Sequence, residues 1–87
     1  MALGFPNQSR HYDEAMHAVR FWGHDGAFEA SFFVDARVLT TLQPGAAADE
    51  AGLLSAFDAN RALIYKTAIN VYGRGRKGAY DLRSSDF

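Results

Sequence analysis

The chain has 87 residues, 48 % of them hydrophobic and 14 % aromatic, which allows one domain with a modest core. Its formal charge of −1 offers no global attraction to nucleic acid or to an anionic membrane. The absence of cysteine excludes disulfides, thiolate metal sites and cysteine nucleophiles.

The opening MALGFPNQSR has no apolar run of signal-peptide length, and no stretch approaches a membrane span. The expectation is a soluble cytosolic protein with a single α+β domain over residues 1–87. Charge is unevenly placed: residues 1–60 sum to −5 and residues 61–87 to +4. Interleaving of the two halves in so small a fold is expected to even this out.

Leu3 to Phe5 is a short apolar stretch ended by Pro6, and it reads as an edge strand. Asn7 to Met16 is polar and reads as loop. Ala18 to Gly23 alternates, with Val19 and Phe21 on one face and Arg20 and Trp22 on the other. Ala27 to Val34 also alternates, with Phe28, Ala30, Phe32 and Val34 on one face. Asp25-Gly26 between them is a preferred hairpin turn pair. Centring the turn there pairs Phe21 with Ala30 and Val19 with Phe32, which keeps both apolar sets on one face. The second face carries Arg20, Trp22, Glu29, Ser31 and Phe33, a mixture expected of a sheet with one wet side.

Asp35 is a good N-cap for a short helix over about 35–42, with Val38, Leu39 and Leu42 facing inward. Pro44-Gly45 ends it. Asp49 caps a long helix over about 49–72, which would run about 36 Å. A chain of this size has a radius of gyration of roughly 12 Å, so that helix would cross most of the molecule. Its apolar stripe is Leu53, Leu54, Phe57, Ile64, Ala68, Val71 and Tyr72. Gly73 is the expected residue just past its end. Ala79 to Leu82 reads as a last strand, and Ser84 to Phe87 as a tail. The pieces predict two layers. An antiparallel sheet of three to four strands, built on the hairpin 18–34, packs on the long helix, and the short helix closes one end.

Three surfaces are candidates for function. The loop Gly73 to Gly78 places Arg74, Arg76 and Lys77 among glycines, with Tyr72 and Tyr80 beside it. That composition suits weak binding of nucleic acid or phosphate. However, phosphate loops usually precede a helix, and the spacing of a P-loop is missing. A flexible soluble connector explains the loop as well. Asn60 and Arg61 interrupt the stripe, Arg61 lying about 40° from its centre. Either the arginine stem lies on the core and its head reaches Asp58, or the break opens a pocket where Arg61 holds a carboxylate or phosphate. The back of the long helix is the third surface. Gly52, Ser55, Ala59, Ala62 and Lys66 line it, with Leu63 and Ile69 on its flanks. So few charges predict a second packing surface, for the short helix or for another subunit of a homodimer.

His11, His17 and His24 lack metal-ligand spacing. Asp13-Glu14 and Asp49-Glu50 are adjacent and so do not face each other on a helix. No serine sits in a nucleophile elbow. No metal or cofactor is implied, and no catalytic constellation is visible.

The motifs Gly4-Phe5-Pro6, Ala18-Val19-Arg20-Phe21, Phe33-Val34-Asp35-Ala36, the segment from Ala56 to Ile64 and the closing Ser85-Asp86-Phe87 together resemble a family of small bacterial proteins, domain of unknown function 1488. The resemblance spans nearly the whole chain. It implies a two-layer fold of helices on a sheet, and it implies no activity, cofactor or catalytic residue. The reading from residues is therefore a cytosolic, non-enzymatic accessory or regulatory binding domain with an unknown protein partner or a second copy. Weak binding of nucleic acid through the basic loop is the alternative, and an enzyme with a site near Arg61 a more distant one.

Overall fold

A computed structural model describes residues 3–75 and 78–87. Its elements are β1 (Arg10–Asp13), β2 (Ala18–Asp25), β3 (Phe28–Asp35), α1 (Ala36–Leu42), α2 (Glu50–Ala59), α3 (Arg61–Tyr72) and β4 (Ala79–Leu82), then a 3-10 turn over Ser84–Asp86. The strands form one sheet in the order β1-β2-β3-β4. The fold is α+β with helices on one face of the sheet. The radius of gyration is 12.2 Å.

The hairpin forms with the expected faces but a different register. Phe21 pairs with Phe32 and Val19 with Val34. Gly26 and Ala27 make the turn, and only Gly26 takes positive φ, at 63°. Glycine first is the requirement of a type II′ turn, so Asp25 need not leave the strand. It stays opposite Phe28 and accepts a hydrogen bond from the Tyr72 hydroxyl at 2.8 Å. The shift along β3 is two residues, and a period of two preserves the apolar face.

Two edges differ from the sequence reading. Leu3 to Phe5 is not a strand; Gly4 makes a single bridge to His24 through two hydrogen bonds of 2.8 Å. The edge strand is Arg10–Asp13, inside the polar stretch that reads as loop from its sequence. Its inward residues, Arg10 and Tyr12, pair with Phe21 and Val19. They cover the core with an aliphatic stem and a ring, so the alternation is hidden in polar letters. At the other edge β4 runs parallel to β3. The three helices form the crossover that a parallel connection requires.

The long helix is broken. Asn60 has φ −117° and ψ 20°, and α2 and α3 meet there. Its side-chain amide donates to the Ala56 carbonyl at 2.9 Å and to Gln43 Oε1 at 3.2 Å. An amide that bonds locally competes with the helix ladder. The ladder resumes with Ile64 N–H on the Asn60 carbonyl at 3.0 Å. Gly73 lies just past the end of α3, as expected, with a right-handed φ of −66°.

The stripe survives the break. Leu53, Phe57, Ile64 and Ala68 are fully buried, while Leu54, Val71 and Tyr72 are partly so. They meet Val19, Phe21, Phe32, Val34 and Leu82 on the sheet. Ring centroids of Phe21 lie 5.3 Å from Phe32 and 5.2 Å from Phe57, a spacing typical of packed aromatic pairs. Both predicted caps form. Asp35 accepts from Arg37 N–H at 2.7 Å, and Asp49 from Gly52 N–H at 2.8 Å. The short helix packs against α2 and β3. The linker between α1 and α2 covers Gly52, where a Cβ would collide with the Ala47 carbonyl.

Candidate functional site

The break at Asn60 is a closed cluster. Arg61 donates to Asp58 at 2.6 Å, to the Tyr65 hydroxyl at 2.6 Å and to the Gln8 carbonyl at 3.0 Å. Its guanidinium lies 5.0 Å from the Phe57 ring centroid and 5.6 Å from that of Tyr65. Arg10 grips the same Asp58 with two bonds, 3.0 and 2.8 Å. These bonds from Arg10 hold the Asp58 carboxyl below its usual range, against an opposing effect of burial and with help from Arg61. The same contact raises the Arg10 guanidinium. Phe5 stacks on Tyr65 at 4.0 Å with the rings nearly parallel. The cluster thus straps the N-terminal segment across the helix junction. Asn60 is spent on Ala56 and Gln43, and Arg61 on three acceptors. Neither lines the cavities at the two ends of β4 that the described residues form.

The basic loop is only partly described. Arg74 donates to Asp86 at 3.1 Å, and Asp86 also accepts the Arg83 N–H at 2.8 Å. The charge of Arg74 is therefore partly neutralised, and Asp86 closes the cap of the 3-10 turn. Arg76 and Lys77 lie outside the described residues.

A further surface, outside those three, is the face of the sheet opposite the helices. The register stacks its residues in rows. One row holds Asp13, Ala18 and Asp35. The next holds His11, Arg20, Phe33 and Asp81. Trp22, Ser31 and Ala79 follow, and then His24 with Glu29. At the centre Arg20 is stacked between two rings, 5.1 Å from the centroid of Trp22 and 5.5 Å from that of Phe33. Its Nη2 donates to Ser31 Oγ at 3.0 Å. Its Nε is buried without a partner among the described residues.

Four carboxylates surround this centre: Asp13, Glu29, Asp35 and Asp81. Arg20 in the rows, with Arg37 and Arg83 at the adjoining cavity, brings the face to −1 with histidines neutral. A cavity of about 740 Å³ opens at its α1 end, floored by Ala18, Phe33 and Leu82 and walled by Met16, Arg37 and Arg83. From the sequence alone Arg20, Trp22, Glu29, Ser31 and Phe33 form a mixed outer face; β1 and β4 add Asp13 and Asp81 to it. Only the strand order supplies that.

No group of three histidine or acidic side chains among the described residues could hold a metal ion. No helix among them is long and apolar enough to cross a membrane.

A family model described as "Protein of unknown function (DUF1488)" matches residues 3–82. The chain belongs to the DUF1488 family. A solved relative has the same fold, the crystal structure of a protein of unknown function from the DUF1488 family from Shewanella loihica PV-4. It is 18 % identical, with a TM-score of 0.81, and the match covers 93 % of this chain and 91 % of that one. At that identity the likeness speaks for the fold alone. No curated protein matches this DUF1488 chain. The family description carries no activity, so any site must be argued from geometry.

Proposed function

We propose that this DUF1488 chain is a non-enzymatic accessory domain of the cytoplasm, acting by protein binding through the open face of its sheet. The observation that carries this reading is Arg20 stacked between Trp22 and Phe33 on a face that no helix or strand among the described residues covers. Aromatic residues and arginine are the side chains enriched at the energetic centre of protein interfaces. The ring of carboxylates supports a protein occupant with basic groups at its margin. It argues equally against a phosphate backbone, which such a face would repel. The absence of cysteine fits a reducing compartment.

A photo-reactive phenylalanine analogue placed at position 22, and separately at Ser55 on the helical side, tests the surface in cells. The expected result is a discrete crosslinked protein from position 22 that disappears when Phe33→Glu is added, and none from position 55. No product from position 22, or one unaffected by Phe33→Glu, contradicts the reading.

A further inference from the structure

We infer that the junction at Asn60 is a hinge, and that the chain has a second form, a dimer that exchanges residues 61–87. In that form α2 and α3 run on as one helix, and the arm beyond Asn60 seats on a second copy, which gives its own arm in return. The occupant is fixed by contacts already described, because each copy receives the same arm that it has released.

The break between the helices rests on one side chain. No proline or glycine lies between Leu53 and Tyr72. Instead the Asn60 amide donates to the Ala56 carbonyl at 2.9 Å and to Gln43 Oε1 at 3.2 Å. The Asn60 N–H pairs with the Phe57 carbonyl, three residues back, at 3.1 Å. No side chain caps the start of α3, so the N–H groups of its first turn have no intrahelical acceptor. A continuous helix would give them the carbonyls of Phe57, Asp58 and Ala59. The Asn60 backbone, at φ −117° and ψ 20°, needs rotations of only about 55–60° to become helical. Straightening therefore gains ladder bonds and loses the two bonds of the Asn60 amide.

One copy alone cannot straighten and keep its core. α3 has 12 residues and is about 18 Å long. Swung into line with α2, it would take Ile64, Ala68, Tyr80 and Leu82 away from Val19, Phe21, Phe32 and Val34, with which they are buried. β4 would leave its place beside β3. The arm has bonds of its own that let it move as a unit. Arg74 donates to Asp86 at 3.1 Å, and the Tyr80 hydroxyl donates to the Gly75 carbonyl at 3.0 Å. Seated on a second copy, the arm remakes the parallel pairing from Ser31–Ala79 to Val34–Leu82. The two forms then share their core and their sheet and differ at the hinge, so Asn60 sets the balance between them. The exchanged dimer carries two open sheet faces.

Refolding from urea at micromolar and at millimolar chain concentration, with both products run on size-exclusion chromatography at one low concentration, tests the hinge. The wild-type chain is expected to give a dimer from the millimolar refolding that persists on dilution, since separation requires the arms to be released. Asn60→Ala removes both amide bonds and is expected to raise the dimer-to-monomer ratio at least tenfold. Ala62→Pro, at an exposed position, is expected to abolish the dimer. Proline is tolerated in the first turn of a helix, whereas inside a continuous one it clashes with the carbonyl four residues back, here that of Asp58. The exchanged segment is read with Ser31→Cys and Ala79→Cys, Cα partners across β3 and β4, in a chain that has no other cysteine. Their disulfide is expected to join two chains in the dimer fraction and to close within one chain in the monomer. A wild-type chain that refolds only to monomer overturns the inference. So does an Asn60→Ala ratio no higher than that of wild type, a folded Ala62→Pro that dimerises like wild type, or a dimer whose disulfides stay within single chains. The cysteine pair decides the matter even where Ala62→Pro does not fold.

Discussion

Arg20 and Arg61 sit on opposite sides of the same sheet in similar aromatic beds. Each guanidinium lies between 5.0 and 5.6 Å from two ring centroids. They differ in what completes them. Arg61 is met by Asp58, Tyr65 and Gln8 from its own chain. Among the described residues Arg20 is met by Ser31, and its buried Nε has no partner there. An arginine finished within the chain holds the chain together, as Arg61 does by strapping residues 5–10 over the helix junction. An arginine left unfinished on an uncovered face is better explained by something that arrives. The contrast teaches that burial and ring contacts alone do not separate structural from functional arginines. The count of satisfied donors does.

The comparison breaks most easily at the core beneath Arg61. Phe57 is fully buried and touches both Phe21 and the Arg61 guanidinium. Phe57→Ala is expected to cost about 3–5 kcal/mol in urea unfolding, whereas Trp22→Ala on the open face is expected to cost about 1 kcal/mol or less. Equal losses would erase the distinction between the two sides.

A middle-sized effect is expected at Arg61 itself. Arg61→Lys keeps the charge but loses the fork that reaches three acceptors, and a loss of about 1–2 kcal/mol is expected in the same measurement. Arg20→Lys is expected to lose about half that or less, and to abolish the position-22 crosslink. A larger stability loss at Arg20 than at Arg61 would reverse the assignment.

Asp58 sharpens the contrast through pH. Its side chain is 42 % exposed, so the value of its two arginine partners is discounted to about 1 kcal/mol or less. The folded carboxyl titrates below its unfolded value of about 3.9. Its stabilisation is thus fully present above the unfolded value and is lost as pH falls through the folded one. Wild type and Asp58→Asn are expected to differ at neutral pH and to converge in acid, as read by melting temperature. Asp81→Asn, on the open face, is expected to stay within about 0.5 kcal/mol of wild type at every pH.

Much of the frame was legible in the residues. Val19, Phe21, Phe32 and Val34 share a face because period two is insensitive to a two-residue slip. Asp35 and Asp49 announce helix starts because their short acceptors reach the first free N–H groups. Arg10–Asp13 was hidden, since Arg10 and Tyr12 bury apolar parts under polar names. The direction of β4 was hidden too, because it depends on how three helices cross the sheet. Asn60 and Arg61 were visible as an interruption, but Gln43, Gln8 and Arg10, which close the cluster, come from distant segments. The open face stayed half-read for the same reason: its aromatic centre is local to the hairpin, while Asp13 and Asp81 arrive from the two edges.

The central claim is that another chain covers the open face when the protein is at work. Hydroxyl-radical footprinting of Trp22 and Met16, in the native host and in dilute purified protein, measures that cover directly. The account predicts strong labelling of both side chains in dilute solution and clear protection of both in the cell. Equal labelling in the two conditions would contradict it.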